Sequence, residues 1–487
     1  MIFSSPIFLV VFFPITLVCY FLFGRRNIIL FIAGLVFYSW GEKWFTFLLI
    51  ASIAINYFSG LLIDKTRNRN GAAAYMFLGV AGNLVILVFF KYSVFIIENI
   101  NSFIVLLGFH PIDKPNIHLP LGVSFFSFQA ISYLVDLYRG QARVERNPLT
   151  LGLYISLFPQ LISGPIVRYT QIAEALHSRK HRFADFVEGI EKFVIGLAKK
   201  LILADELAIS ADRIFSLNPD QVSSPIAWLG ILCFTLQIYF DFSGYSDMAI
   251  GLGRMFGFKY LENFNYPYFS KSITEFWKRW HISLSTWLRD YLFLPIAYAA
   301  MRRIQGPRLW TFKAETWGYG AGIICTMFLG GLWHGASWNF VIWGLFHGFF
   351  ILLERAWLGK RLKKLWSPLR RIYTLFIVII SWVLFRTANL TEAAGYLKSM
   401  FFGGGWSSIG RSFYYISNDY TLFILVIGLM VSQPVGQFIT EMSKKAALQR
   451  FVIVKDIIYG SFLCLIAYIS FAIMSARTYK AFIYFRF

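Results

Sequence analysis

Charge is what this sequence has least of. Charged residues make up 15% of its 487 positions and 57% are hydrophobic, whereas soluble domains carry roughly 25% charged residues. That scarcity excludes an ordinary water-soluble enzyme and a disordered or collagen-like chain. Acidic residues are the scarcer sign: 25 Asp and Glu against 46 Lys and Arg leave a net charge of +21. So basic a chain suggests nucleic acid as a partner. Here, however, the basic residues form short clusters between apolar runs, as cytoplasmic loops do, and no nucleic acid is expected. Cysteine is nearly absent. Cys19, Cys233, Cys325 and Cys464 each lie in an apolar run and form no CxxC pair, which argues against a disulfide framework and a metal centre. The sequence has no P-loop, no GxGxxG opening a Rossmann unit, no GxSxG elbow and no HExxH, so no permanently bound cofactor is expected. No basic stretch precedes the first apolar run, and Arg25 and Arg26 follow it. It reads as a retained span, not a cleaved signal.

Aromatic residues are abundant, with 53 Phe, 26 Tyr and 15 Trp, which suits a protein partly solvated by lipid. A span needs about 20 apolar residues. Charge-free runs of that size cover 1–24, 44–63, 71–90, 147–167, 221–240, 420–440 and 457–476, and 115–135 contains only His118. The shorter runs 27–41 and 372–385 must be tilted, re-entrant or protein-buried. Residues 316–353 form 38 positions without a formal charge, enough for two short spans. The expectation is an all-α, polytopic membrane helical bundle of about ten to twelve segments, some re-entrant. The runs are too long, and lack the alternation, for a β-barrel. No repeat or linker is evident, so 1–487 reads as a single integral-membrane domain. The basic clusters from Arg25-Arg26 to 444–455 read as cytoplasmic. They leave both termini, and the tail 477–487, extracytoplasmic. The run 147–167 lies between two basic loops and must be re-entrant or a tight pair.

Between Arg254 and Lys313 charges return while aromatics stay dense. Trp277, Trp280, Leu284, Trp287, Leu288 and Tyr291 recur at helical spacing, with Lys278, Arg279 and Arg289 on other faces. That spacing predicts an amphipathic helix at the cytoplasmic interface.

Ionisable groups inside membrane segments are functional candidates. Asp241 and Asp247 sit in Gln237–Asp247 at the end of an apolar run. They are either tunnel or substrate contacts or carboxylates that are solvated or paired, with Arg254 within reach. His281 lies on the amphipathic helix, either functional or satisfied by a backbone or lipid contact. His334 lies in Gly330–Asn339, at the fold of the 38-residue run with glycines on both sides. It is placed near the apex of a helical hairpin, as a catalytic group or as a packing histidine. His347 follows by 13 residues, a spacing that raises haem ligation. No second facing histidine pair exists to complete it, and haem is set aside.

At these residues the chain resembles the bacterial membrane-bound O-acyltransferases. The resemblance is carried by Gln237–Gly251, by Asn263–Tyr268, by Trp277–Ser285 continuing to Tyr291, and by Gly331–Trp338. The closest likeness is to the branch that O-acetylates alginate and peptidoglycan, with D-alanyl transferases more distant. The matching motifs run from Ser127 to the C-terminus. The resemblance implies a ring of helices around a thinned core, with a tunnel joining a cytoplasmic opening to an extracytoplasmic funnel. It implies His334 as the catalytic histidine and His281 as the second motif histidine. It also implies cytoplasmic acetyl-CoA as donor, an extracytoplasmic esterase-like (SGNH-type) transferase as partner, a polysaccharide acceptor, and the bacterial cytoplasmic membrane as location.

The residues fit that chemistry. Acyl transfer to a hydroxyl needs a base, and imidazole is matched to neutral pH. His334 is placed as that base and His281 to orient the thioester or stabilise charge. Gln237, Trp280, Trp333, Trp338 and Asn339 are candidate tunnel contacts. Lys278, Arg279 and Arg289 lie on the side where nucleotide phosphates would arrive, although interfacial helices also carry such charges toward anionic lipid. A non-catalytic carrier or polysaccharide-export subunit accounts for the spans and the basic loops equally well, but not for the two histidines. The chain ends Lys480-Ala-Phe-Ile-Tyr-Phe-Arg-Phe487. The tail is either an aromatic interface anchor or an acyl carrier. The second reading makes Tyr484 the acceptor, since a phenolate (pKa about 10) leaves an ester more readily than an alkoxide. It is supported by a resemblance to the C-terminal aromatic-Tyr-aromatic motif of the partner peptide in D-alanyl transfer, where the tyrosine is implicated as carrier.

Overall fold

A computed structural model describes residues 1–67, 71–304, 308–309, 312–404, 419–435 and 452–476. The tail 477–487, with Tyr484, lies outside the described residues. Apart from a two-residue hairpin pairing Arg308–Leu309 with Phe312–Lys313, the described chain is helical. Six helical runs are long and apolar enough to cross a membrane: Arg26–Lys65, Ala72–Leu106, Ser224–Met255, Trp338–Leu362, Ser367–Arg386 and Asp456–Ala476. Shorter apolar helices cover Phe8–Leu22 and Asp419–Val431. The protein is an all-α polytopic membrane protein.

The chain divides into two compact units, residues 1–190 with 248–261, and residues 191–247 with 262–487. In the first, the run Arg26–Lys65 is broken at Lys43, which takes a positive φ of 44°, between the two apolar stretches read from the sequence. The core here is aromatic: Phe37 and Phe158 meet Phe8 and Phe12 edge-on or tilted, with ring centroids 5.4–6.3 Å apart. Asn56 and Asn83 exchange amide hydrogen bonds of 2.9 and 3.1 Å between neighbouring apolar helices, the polar glue expected where lipid removes a hydrophobic drive. The run 115–135 is helical only from Val123, after Gly122 at φ 77°. A Cβ at Gly122 would lie 2.6 Å from the Leu161 carbonyl oxygen. Residues 151–167, in two short helices and a loop, are buried throughout, as broken helix at membrane depth requires.

In the second unit the Ser224–Met255 helix runs well beyond the apolar stretch 221–240. The carboxylates expected at a helix end are therefore inside a helix. Two lysines make that possible. Lys200 bonds Asp241 at 2.8 Å and Asp205 at 2.9 Å, and Lys199 bonds Asp247 at 2.6 Å, with Lys192 at 3.2 Å. Lys199 and Lys200 open a π-turn, Lys199–Ala204. Arg254, which the sequence left within reach of the two carboxylates, is paired with Glu188.

The 38-residue run folds as a hairpin of helices Ala314–His334 and Trp338–Leu353. The two pack backbone to backbone. A Cβ at Gly331 would lie 2.2 Å from the Phe340 carbonyl oxygen, and one at Gly344 2.1 Å from that of Met327. Such approach is available only to glycine. Gly344→Ala is expected to force the helices apart and cost about 1–3 kcal/mol, read as a lower midpoint of thermal unfolding in detergent. Gly320→Ala, at a glycine with open space around it, should leave that midpoint unchanged.

Candidate active site

The predicted continuous helix over 277–291 is corrected by the structure. Helix Ile273–Arg279 stops, Trp280 is extended, His281 takes the left-handed conformation at φ 43°, and Ile282–Leu288 begins a new helix. The cause is an irregular segment of chain shortly upstream. Asn265 N–H donates to the Arg279 carbonyl and Ile282 N–H to the Asn263 carbonyl, both at 2.9 Å, so segment 263–265 bridges the break. Upstream, Glu354 fixes the start of the Ile273–Arg279 helix. Its carboxylate accepts from the Ile273 and Thr274 N–H groups at 2.7 and 3.0 Å and from the Thr274 hydroxyl at 2.7 Å.

His281 is completely buried. Its Nδ1 lies 3.1 Å from Asn263 Oδ1, which also accepts from the Ser283 N–H at 3.1 Å and hydroxyl at 2.9 Å. Asn263 Nδ2 donates to the Ser246 hydroxyl on the long helix at 3.0 Å. A backbone N–H only donates, so the atom facing Ser283 is the amide oxygen, and His281 carries its hydrogen on Nδ1. Nε2 is left as a lone pair, without a hydrogen-bond partner among the described residues. Burial pushes the His281 pKa down to about 3. Its surroundings are the rings of Phe242, Phe264 and Trp333.

His334 ends the first helix of the hairpin and is 3% exposed. Its ring meets Trp333, Trp343 and Phe385 edge-on, with centroids 4.9–5.4 Å apart. It lines a cavity of about 190 Å³ whose walls include Trp277, Leu288, Arg289, Thr326 and Trp343. Trp333 also touches His281, at 6.0 Å. Trp343 also touches a third histidine, His347, at 5.2 Å. The site is thus a row in which His281, His334 and His347 alternate with Trp333 and Trp343. His347, weighed in the sequence only for haem, is fully buried and meets Ser381 Oγ at 3.0 Å through Nε2. The Ser381 hydroxyl donates to the Val378 carbonyl at 2.7 Å, so His347 Nε2 is the donor to it. The available signal was the four-residue spacing of Trp343 and His347, which puts them on one helix face.

Other candidates fall in different places. Arg289 lines the cavity, paired with its neighbour Asp290 at 2.7 Å. Arg279 is held by Glu275 at 2.9 Å and Lys278 is exposed. Trp280 is buried against Phe264, Phe276 and Trp382, behind the break. Trp338 begins its helix, is 52% exposed and is not among the residues lining the His334 cavity. Asn339 is buried and donates to the Thr387 carbonyl at 2.8 Å, a tie between helices. Gln237 is buried in the long helix, its Oε1 without a hydrogen-bond partner among the described residues. Asp241 and Asp247 are occupied by the lysines described above.

Residues 139–391 match the membrane-bound O-acyltransferase (MBOAT) family. The chain belongs to that family. It is an acyltransferase embedded in a membrane, and the match covers both motif histidines. This O-acyltransferase is 43% identical over 83% of its length to the probable alginate O-acetylase AlgI of Pseudomonas aeruginosa, covering 76% of that protein. It is 34% identical over 82% of its length to a peptidoglycan O-acetyltransferase of Helicobacter pylori, covering 80% of it. It is 32% identical over 54% of its length to a teichoic acid D-alanyltransferase of Bacillus subtilis, covering 65% of it.

The Asn263 contact gives this O-acyltransferase a testable pH signature. An unfolded histidine titrates near 6.5, whereas buried His281 resists protonation. Below about pH 6.5 the unfolded chain takes up a proton that the native site refuses, so this group lowers stability as pH falls from about 6.5 toward 3. Asn263→Asp retains the acceptor but adds a negative charge, raising the His281 pKa. Acyl transfer by that variant should fall in mild acid where the unaltered enzyme is unaffected. Asn263→Leu should lower transfer at all pH values, by roughly two- to tenfold for each hydrogen bond lost.

Proposed function

We propose that this chain is a membrane O-acetyltransferase. It takes an acetyl group from acetyl-CoA at the cytoplasmic face of a bacterial inner membrane and passes it outward for O-acetylation of an extracytoplasmic polysaccharide. The observation that carries the reading is His334 at the apex of a glycine-locked hairpin, on the wall of an apolar cavity of about 190 Å³. The names of the relatives, alginate O-acetylase and peptidoglycan O-acetyltransferase, support a polysaccharide acceptor.

In this reading the cavity holds the thioester and His334 acts as base. It takes the proton of an attacking hydroxyl as the C–O bond forms. The C–S bond then breaks, and the thiolate leaves with the proton returned by the imidazolium. A dry, aromatic enclosure suits the reaction because water would hydrolyse the donor. Arg289, at the cavity, is the cation placed for a donor phosphate. His281, neutral with Nε2 as acceptor, holds the adjoining Trp333 and is not suited to donate a hydrogen bond to a developing oxyanion from that nitrogen. The proposed route continues through Tyr484 as transient acetyl carrier to an SGNH-type transferase outside, and both termini are extracytoplasmic in this scheme.

Two measurements test it. With radiolabelled acetyl-CoA and purified enzyme, His334→Ala should lower acetyl transfer by about 10²–10⁴-fold while the protein remains monodisperse. Undiminished transfer overturns His334 as base. Tyr484→Phe keeps the aromatic tail and removes only the hydroxyl. It should abolish polymer acetylation in cells while leaving acetyl-CoA binding intact, and full acetylation would make the tail an anchor.

A further inference from the structure

The first unit contains a second cavity, of about 350 Å³, that the acyl-transfer reading does not use. Lys180, His181, Arg182, Phe186, Arg254 and Gly257 are among its walls. Three separated stretches of sequence converge on it: the end of the Phe8–Leu22 helix, the loop 178–182, and the turn after Met255. Two of the cations near it are already neutralised: Arg254 by Glu188, and Lys259 by Asp185 at 3.1 Å. Lys180 and Arg182 are exposed and have no ion pair among the described residues.

Behind them Arg179 is built in. Its guanidinium donates to the Ala175 carbonyl at 3.2 Å and to the Asn27 side-chain oxygen. It lies 4.7 Å over the Phe258 ring and 5.8 Å over Tyr20. Its Nε is buried without a hydrogen-bond partner, and none of its contacts is a carboxylate. Arg26 lies 5.7 Å over the same Tyr20 ring. Tyr20 in turn donates to the Phe256 carbonyl at 3.0 Å and meets His181 Nε2 at 3.3 Å. Burial, together with the Arg26 and Arg179 charges, holds His181 below its ordinary pKa. The fold has therefore gathered four cations, Arg26, Arg179, Lys180 and Arg182, none of which has a carboxylate partner among the described residues; the carboxylate on the cavity wall, Asp185, is engaged by Lys259. A half-buried guanidinium without a counter-ion costs free energy that an anion would recover.

The rest of the surface indicates which anion. Phe183, on the cavity wall, is 83% exposed, and Phe21 is half-exposed beside the exposed Leu22 and Phe23. These lie at the end of an apolar membrane helix, just before Arg25-Arg26. A soluble phosphate makes no use of such a surface, whereas a phospholipid places its phosphate among the cations and its acyl chains along the phenylalanines. We infer that this cavity is a binding site for the phosphate headgroup of an anionic phospholipid, held by Lys180 and Arg182 on its wall with the half-buried Arg179 charge behind them, and with Phe21 and Phe183 against its chains.

The test uses the full-length protein in detergent, titrated with dioleoyl phosphatidylglycerol or dioleoyl phosphatidylcholine and read by native mass spectrometry. Phosphatidylglycerol should be retained preferentially. Lys180→Gln with Arg182→Gln, both at exposed positions, should reduce that preference by about fivefold per cation, roughly twentyfold together. Lys398→Gln, an exposed lysine of the other unit, should leave it unchanged. Equal retention of the two lipids overturns the inference, as does a preference that survives the double substitution. Inorganic phosphate and adenosine 3′,5′-bisphosphate form the competing arms. If either displaces phosphatidylglycerol from the unaltered protein at micromolar concentration, the site belongs to a soluble phosphate and the lipid assignment fails.

Discussion

The side-chain amide of Asn263 is the point at which the histidine break is held together. A left-handed histidine is unfavourable for any L-residue, at about 1–2 kcal/mol, and this one is also buried with a bare ring nitrogen. One carbonyl oxygen makes the arrangement stable by accepting from the His281 ring and from both the backbone and the hydroxyl of Ser283. The amide nitrogen ties the same residue to Ser246 on the long helix. Without that atom the break would rest on the backbone hydrogen bonds of residues 263–265 alone. Trp333, packed on His281, would also lose the wall that sets its position beside His334.

The long helix depends in turn on charge compensation. Two carboxylates six residues apart, about 9 Å along a helix axis, would be prohibitive in a buried apolar helix if alone. Each is met by its own lysine from adjacent positions of one π-turn. A regular α-helix separates neighbours by about 100° around its axis, and the wider turn relaxes that constraint. The ion pairs allow the Gln237–Asp247 segment to stay helical and buried. The long helix then carries Ser246 to Asn263.

Much of this was legible in sequence, for identifiable reasons. The hairpin was readable because 38 residues without charge, flanked by basic loops, have to enter and return, and His334 falls where they turn. The break at Lys43 was readable because the two apolar stretches around it are separated by charge. The break at His281 was not. Trp277, Trp280, Leu284 and Trp287 keep helical spacing straight through it, no proline or glycine marks it, and the agents that impose it are backbone groups of residues 263–265. His347 escaped for a similar reason, since Ser381, which reveals its tautomer, is 34 residues away. The extent of the long helix was hidden because Asp241 and Asp247 look like a helix end until Lys199 and Lys200 are in place.

The glycine contacts of the hairpin divide the catalytic cavity into two kinds of wall. At Gly331 and Gly344 the backbones are already at contact distance, so the frame carrying His334 and Trp343 has no slack and cannot be retuned by small steps. Leu284 and Leu288, from the Ile282–Leu288 helix, line the same cavity outside that hairpin, and each can shrink or grow by a methylene at modest cost. Under the proposed function, the length of acyl group accepted would be set by those aliphatic positions. Divergence toward larger or charged acyl donors would be written there, while the hairpin stays the same.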